Sequence, residues 1–513
     1  MTVSSDTSLQ EQEVLLENLQ NKELFSHPVE KFELLQTHIS FVLLTGPFAY
    51  KFKKPVDLGF LDFSTLALRQ HFCEEELRLN QRFSEELYLE VISITGSIHH
   101  PAINGTQDVI EYAVKMKQFP QSAQLDVVLS QKKLTPTHIN MLADTIAEFH
   151  SKAEIASKTS EYGNNDSIID PIRENFSHIR QLSQLAHFEP RLQTLESWCE
   201  EFFDKNKSRF EQRKNNGFIR EGHGDMHLRN MALLDDKIIL FDCLEFSPGL
   251  RWIDVINDLA FLLMDLDDRQ ETLLAWHCLN RYIERTGDYA GLGLLKFYKV
   301  YRALVRAKVD AIRLAQPHLT TDEQQQTCRD FVSYLELAEA YTHRDKPTLI
   351  ITRGLSGSGK TTYTEELLGS IGAIRIRSDV ERKRLFKDQN TLYKPEITEK
   401  VYQHLLRTTE SLLNTGYSVI VDATFLDAQK IFPFHSLASN MVIPFHILEF
   451  SARPDTLHTR LQGRKADYSD ANIQVLESQL KHWQEVPDEL SSYLVQLDTE
   501  QVINFEDVRK KLI

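Results

Sequence analysis

Cysteine is scarce in this chain: five residues in 513, at Cys73, Cys199, Cys243, Cys278 and Cys328, with no C-x-x-C pair. An odd, scattered set argues against a disulfide framework and a structural zinc site, and places the expected location in a reducing cytoplasm. Long apolar runs are missing as well. No stretch reaches the roughly 18 apolar residues that a membrane span requires, so no membrane partner is expected. The opening residues, Met1-Thr-Val-Ser-Ser-Asp-Thr-Ser, lack the basic-then-apolar pattern of a secretory leader. Positive charge is in deficit: 58 Lys and Arg against 74 Asp and Glu leave a formal net charge of −16. That balance argues against a broad, sequence-independent grip on nucleic acid, which needs a basic surface. The chain shows no internal repeat or low-complexity tract.

What is present is an ordinary globular composition, 42% hydrophobic and 26% charged, in a chain long enough for two or three cores. Its most specific feature is Gly354-Leu355-Ser356-Gly357-Ser358-Gly359-Lys360-Thr361, a complete G-x-x-x-x-G-K-[ST] loop. The apolar run Thr348–Thr352 precedes it, and a helical pattern beginning with Thr362 follows. A strand delivers such a loop, and its glycines let backbone N–H groups converge on phosphate oxygens. Lys360 adds a point charge at the β/γ-phosphates, and Thr361 offers a hydroxyl to Mg²⁺. ATP and Mg²⁺ are therefore the expected cofactors, although ATP and GTP are not distinguished.

Strand and helix patterns alternate after Thr342-His-Arg-Asp-Lys-Pro347, a short polar segment ending in proline. The alternation predicts a parallel sheet flanked by helices over 346–513. Residues 1–345 differ in kind. A helix is expected over Leu9–Phe25. Strands are expected over 39–44, 48–52, 87–95 and 109–118, with a helix over 64–86. The rest is helical apart from a strand-rich island at Ile219–Cys243. The predicted class is thus α+β in front, with a small β-rich lobe and a large helical lobe, and α/β behind.

The island carries a second constellation, His223-Gly-Asp-Met-His-Leu-Arg-Asn230, followed by Asp242 at the end of the apolar run Ile238–Phe241. Phosphoryl transfer needs one carboxylate to orient an incoming hydroxyl, and an amide oxygen with a second carboxylate to hold Mg²⁺. Asp225 would be the base, Asn230 and Asp242 the metal ligands, and His223 a brace for the loop.

The rear segment offers its own set. Asp379, in Ser-Asp-Val-Glu-Arg, would orient a substrate hydroxyl, and Arg382 one turn later would grip an anionic group. Asp422, ending Ser418-Val-Ile-Val-Asp422, would hold Mg²⁺ through water. Arg460 and Arg464 at helical spacing could close over the transferring group.

The H-G-D-x-x-x-x-N and Phe241-Asp242-Cys243 pieces resemble the aminoglycoside phosphotransferase family, a branch of the protein-kinase-like fold. The resemblance implies a structural aspartate before a later helix, which Asp258 fits. It also implies a strand lysine paired with a helix glutamate. Lys51, in Ala49-Tyr-Lys51, suits that place, with Lys53 the alternative on the same face. The partner would be Glu74, Glu75 or Glu76, with Glu75 preferred. The turn Thr45-Gly46-Pro47 departs from the glycine-rich loop of protein kinases. The S-D-x-x-R and apolar-D-A-T pieces resemble P-loop kinases related to polynucleotide 5′-kinase, gluconate kinase and zeta toxins. Together the halves look like bacterial bifunctional aminoglycoside phosphotransferase/ATP-binding proteins. The resemblance implies an ATP-dependent phosphotransferase with small hydroxyl-bearing acceptors. The alternative is a nucleotide-switched regulatory ATPase with a degenerate kinase-like domain. Neither the acceptors nor the oligomeric state is legible.

Overall fold

A computed structural model describes residues 8–59, 61–316, 319–343, 346–386, 392, 394–463 and 473–512, the side chain of Ser183 excepted. The chain divides into two compact units. One comprises Met1–Met141, Glu148–Arg173 and Phe203–Asp265; the other comprises Leu142–Ala147, Glu174–Phe202 and Leu266–Ile513.

The first unit is built on six antiparallel strands: β1 (Glu33–Gln36), β2 (Ser40–Leu44), β3 (Phe48–Lys53), β4 (Tyr88–Ser97), β5 (His100–Ile103) and β6 (Val109–Lys117). They run in the order β1-β2-β3-β6-β4-β5. Alternating side chains give the sheet two apolar faces. Phe41, Leu43, Phe52, Ile92 and Ile94 pack against Leu15, Leu16 and Leu19 of the first helix, Leu9–Leu19. That helix opens with a reciprocal Ser8–Glu11 capping box. It stops at Leu19 rather than continuing to Phe25, as the apolar pattern had suggested. Gln20 leaves helical geometry with ψ 39°, and the Asn21 side chain takes the Glu23 N–H to start a short 3₁₀ turn, Lys22–Leu24. On the opposite side, Tyr88 and Val114 pack with Cys73 of the Leu66–Ser84 helix. Strand β5, which lies outside the expected strands, pairs with β4.

Below the sheet, β7 (Ile219–Glu221), β8 (Met231–Leu234), β9 (Lys237–Leu240) and β10 (Trp252–Asp254) form two small pairs, β7 with β10 and β8 with β9. Asp235 and Asp236, both at positive φ, close the β8–β9 hairpin.

The second unit contains a five-stranded sheet of β11 (Leu349–Arg353), β12 (Ala373–Arg377), β13 (Ser418–Asp422), β14 (Phe445–Ser451) and β15 (Leu494–Asp498). Every neighbouring pair is parallel, in the order β12-β13-β11-β14-β15. Ile350, Ile420 and Leu448 sit at its core with Leu367 and Leu368 of the Lys360–Ile371 helix. The chain changes direction around β11, and the glycine-rich loop leaves its carboxyl end, where open parallel sheets place their ligands. The helices Thr272–Thr286, Leu292–Leu314 and Thr321–Thr342 also belong to this unit.

Candidate functional site

In the first unit, β3 presents Lys51 and Lys53 on one face, two residues apart. Lys51 Nζ lies 2.8 Å from Glu76 Oε1 and 2.5 Å from Asp242 Oδ1. Lys53 bonds the other oxygen of Glu76 and also Glu245. Glu76, not the preferred Glu75, is therefore the glutamate that meets the strand lysines. One residue turns a helix by about 100°, which carries Glu75 toward Arg78 (2.9 Å) and Arg251 (3.2 Å) instead. Burial pushes the Glu76 carboxyl up, but the two ammonium groups outweigh it and hold the group down at about 2. Burial works against the charge on Lys51, yet Asp242 and Glu76 raise its pKa well above the ordinary lysine value.

The His223–Asn230 loop is fixed from beneath. Asp258 accepts the backbone N–H groups of His223 (2.6 Å) and Gly224 (3.0 Å), and His150 Nε2 lies 3.3 Å away. His223 is fully buried, its Nε2 2.9 Å from the Phe241 carbonyl. Burial lowers its pKa despite nearby Asp258 and Asp225, so the ring braces the loop in its neutral form. Asn230 Nδ2 donates to the Asp225 carbonyl (3.0 Å) and to Asp225 Oδ2 (2.9 Å). Phe241 N–H returns to the Asn230 carbonyl at 3.0 Å. Asp242 follows at φ 63°, its N–H on Tyr88 Oη at 3.0 Å. Asp225 and Asn230 are thus side by side. Asp242 meets Lys51, and Phe241, bonded to His223 and Asn230, links the two pairs.

An amide and a carboxylate are oxygen donors of the kind Mg²⁺ accepts when phosphates and water complete its shell. Among the described residues no group of three or more His, Cys, Asp or Glu side chains is placed to hold a metal alone. Such a site would be completed by the nucleotide.

In the second unit, a cavity of about 390 Å³ opens at the carboxyl end of β11 and β13. Ser356, Gly357, Gly359, Lys360, Thr361 and Thr362 line one side; Asp379, Asp422 and Arg460 line others. The Lys360–Ile371 helix begins at the cavity, after Gly359 at φ 91°. A helix N-terminus there favours an anion. Lys360 Nζ donates to the carbonyls of Gly354 (2.8 Å) and Leu355 (2.9 Å), folded over its own loop. Ser356 N–H donates to Gln479 Oε1 at 2.8 Å. Thr361 Oγ1 donates to Asp422 Oδ2 at 2.9 Å, and Thr352 Oγ1 supports the other oxygen of Asp422 at 3.3 Å. This hydroxyl–carboxylate pair beside an ammonium fits a nucleotide phosphate with Mg²⁺, which would neutralise phosphate charge there.

A family model for an AAA domain matches residues 349–489. Uncharacterized protein Rv2004c of Mycobacterium tuberculosis and Uncharacterized protein Mb2027c of Mycobacterium bovis are each 30% identical to this chain over 468 residues. The match covers 88% of this chain and 90% of either relative. The chain belongs to their family. This chain also has likenesses to solved structures. An ethanolamine kinase of Plasmodium vivax is 9% identical with TM-score 0.40, over 66% of this chain and 97% of that one. A gluconokinase of Sinorhizobium meliloti is 20% identical with TM-score 0.25, over 33% and 91%.

Within this family member, the remaining expected residues fall in different places. Asp379 is the second residue of the Ser378–Leu385 helix and faces the cavity. Arg382 is buried, and its Nη1 donates to the Leu392 carbonyl (2.7 Å) and Thr398 Oγ1 (3.2 Å); it is not among the cavity-lining residues. Arg460 lines the cavity but is bound to Thr499 Oγ1 (2.8 Å) and to the carbonyls of Thr499 (2.9 Å) and Gly357 (3.3 Å). Arg464 lies outside the described residues.

Sequence reasoning passed over Arg377, which ends β12, lines the cavity and lies 3.9 Å from Asp422 Oδ2. The signal was present in Arg375-Ile-Arg377: two arginines on an otherwise apolar strand, here an edge strand, need buried partners.

Proposed function

We propose that this chain is an ATP-dependent phosphotransferase with two nucleotide sites, each moving a γ-phosphoryl group to a small hydroxyl-bearing acceptor. The observation that carries the reading is the cavity that gathers Lys360, Thr361, Asp422 and Asp379 at one sheet end. Lys360 and the loop amides would hold the phosphates. Thr361 and Asp422 would hold Mg²⁺, and Asp379 would take the acceptor proton. In the first unit Asp225 would play that last part, with Asn230 and Asp242 toward Mg²⁺ and Lys51 toward the α/β-phosphates. The ethanolamine kinase and gluconokinase above carry small hydroxyl-bearing acceptors in their names. The acidic chain and dispersed cysteines suit a cytoplasmic enzyme that does not act on nucleic acid.

A panel of hydroxylated metabolites incubated with γ-labelled ATP tests the reading, using wild type beside Asp225→Ala and Lys360→Ala. Each variant should lose one labelled product and keep the other. A single product abolished by Lys360→Ala and untouched by Asp225→Ala sinks the two-headed version.

One observation favours a second reading. Lys51 and Asp242, which would hold nucleotide and metal, are engaged with each other at 2.5 Å, and the neighbouring turn has only Gly46 before Pro47. A first unit that binds a ligand without turnover, beside a P-loop that acts as a nucleotide switch, accounts for both features. Phosphate release independent of every acceptor in the panel would select it.

A further inference from the structure

The parallel sheet of the second unit ends on β12, whose outer edge would leave backbone groups unpaired. The Thr272–Thr286 helix covers that edge. Asn280 Nδ2 donates to the Ala373 carbonyl at 3.0 Å, and Asn280 Oδ1 accepts the Arg375 N–H at 2.7 Å, as a neighbouring strand would. Leu273 and Trp276 lie against Gly369 and Gly372, and His277 faces Glu365 at 3.4 Å. These positions recur at helical spacing along one face. Four residues beyond Asn280 the same face delivers Glu284, only 4% exposed.

Glu284 Oε1 accepts from Arg375 Nη2 (2.9 Å) and Nε (3.1 Å), and its Oε2 lies 3.5 Å from Arg377 Nη1. Arg375 continues inward: its Nη1 donates to the carbonyl of Thr361 at 2.9 Å, the residue whose hydroxyl meets Asp422. Arg377 stands at the cavity wall, 3.9 Å from Asp422. The chain just after Glu284 grips the next element too. The Glu284 carbonyl accepts from Arg384 Nη2 at 2.5 Å, and Tyr289 Oη donates to Glu381 Oε1 at 3.0 Å. Arg384 and Glu381 lie on the helix that carries Asp379.

We propose that Glu284 is a positioning residue of the phosphate cavity, holding Arg377 at its wall and Arg375 on the Thr361 carbonyl, so that phosphoryl transfer there depends on a helix upstream of the AAA-domain segment. The proposal rests on the P-loop reading above. A guanidinium held rigidly beside developing phosphoryl charge acts mainly in the transition state, because it needs no reorganisation as the charge appears. A carboxylate that only stabilised the fold would give no such selectivity.

The test uses the full chain. Phosphate release from γ-labelled Mg·ATP is measured in single-turnover mode, ADP affinity by titration calorimetry, and thermal midpoint alongside. Glu284→Gln should slow phosphate release by about tenfold while ADP affinity stays within about threefold. Arg377→Gln should do the same, and the double variant should be no slower than the slower single. Release within about twofold of wild type, losses that multiply in the double variant, or ADP affinity falling as far as the rate would each overturn the role of Glu284. If Glu284→Gln does not fold, Glu284→Asp, which keeps the charge and withdraws it by one methylene, takes its place under the same outcomes. Lys360→Ala separates the two levels. If wild type binds and turns over ATP no better than Lys360→Ala, the P-loop reading fails and the role of Glu284 fails with it. If Lys360→Ala is defective and Glu284→Gln is not, only the positioning role fails.

Discussion

Asp258 is a fully buried carboxylate that two backbone N–H groups and a histidine meet. Burial alone would raise its pKa. Hydrogen bonding and charge from His150, together with the His223 N–H, outweigh burial and hold it at about 2, below the 3.8 of a free aspartate. A folded-state pKa below the unfolded one means that the charged group stabilises the fold above about pH 4 and that this contribution is lost as pH falls through about 2. The depression corresponds to about 2 kcal/mol at neutral pH. Asp258→Asn should therefore cost the first unit about 2 kcal/mol or more at pH 7, since an amide offers one acceptor oxygen where two are used. The gap between wild type and variant should shrink as pH falls from about 4 to 2. Denaturant unfolding across that range measures it, and a gap that does not change with pH would show that the Asp258 charge does not support the loop. Removing the support should also loosen Asp225, because His223 and Gly224, whose N–H groups Asp258 holds, immediately precede it.

At the scale of elements, what the sequence showed well was the strand that feeds a turn. Ser418–Asp422 is an apolar run ending in a carboxylate and Leu349–Arg353 one that leads into the glycine-rich loop, and both are buried parallel strands, with Asp422 and that loop lining the cavity. The strand-rich island at Ile219–Cys243 was equally legible, and it holds the β8–β9 hairpin between Asn230 and Asp242. Less legible was anything decided by a rotation of one residue or by distant pairing. Glu74, Glu75 and Glu76 are chemically alike in sequence, and only the seating of the helix selects Glu76 for Lys51. Asn280 sits in a helix like any other polar residue, and its partners lie about 95 residues away on an edge that only the folded sheet creates. The turn between β11 and its helix yields a sharp prediction. Gly354 has φ 149°, and a Cβ there would stand 2.5 Å from the Phe450 carbonyl oxygen and 2.7 Å from Ser358 Oγ. Gly416 has φ 87° with open space around it. Gly416→Ala should cost about 1 kcal/mol of backbone strain and leave nucleotide affinity unchanged. Gly354→Ala should add the steric displacement of the loop and weaken ADP binding by at least about tenfold. Equal ADP affinity in the two variants, read by calorimetry, would mean that the loop geometry does not set the phosphate site.

For the whole molecule, the sequence pattern placed the change of architecture at Pro347, while compactness assigns the helices from Leu266 onward to the unit that holds the parallel sheet. Composition could not reveal this, because a helix carries the same amphipathic signature whichever core it serves. The consequence for function is a count. Each proposed site has its own lysine, Lys51 in the first unit and Lys360 in the second, and its own acidic ligand, Asp242 and Asp422. Lys51 must leave Asp242 to meet a nucleotide, whereas Lys360 donates to two carbonyls of its own loop. An ion pair with a buried lysine costs more to part than ammonium–carbonyl hydrogen bonds within a loop, so the two sites should differ in affinity, with the P-loop site filling first. Titration of wild type with the non-hydrolysable triphosphate AMP-PNP and Mg²⁺ should therefore give two separable binding steps per chain. Lys360→Ala should remove or weaken the tighter step by about 10- to 100-fold, the loss expected of one charge-assisted contact. The weaker step should remain, and Asp242→Asn should strengthen its Mg²⁺-free component by releasing Lys51 while abolishing its response to Mg²⁺. One step per chain in wild type, eliminated by Lys360→Ala, would mean that the Lys51–Asp242 pair stays closed and that the first unit serves the chain without a nucleotide.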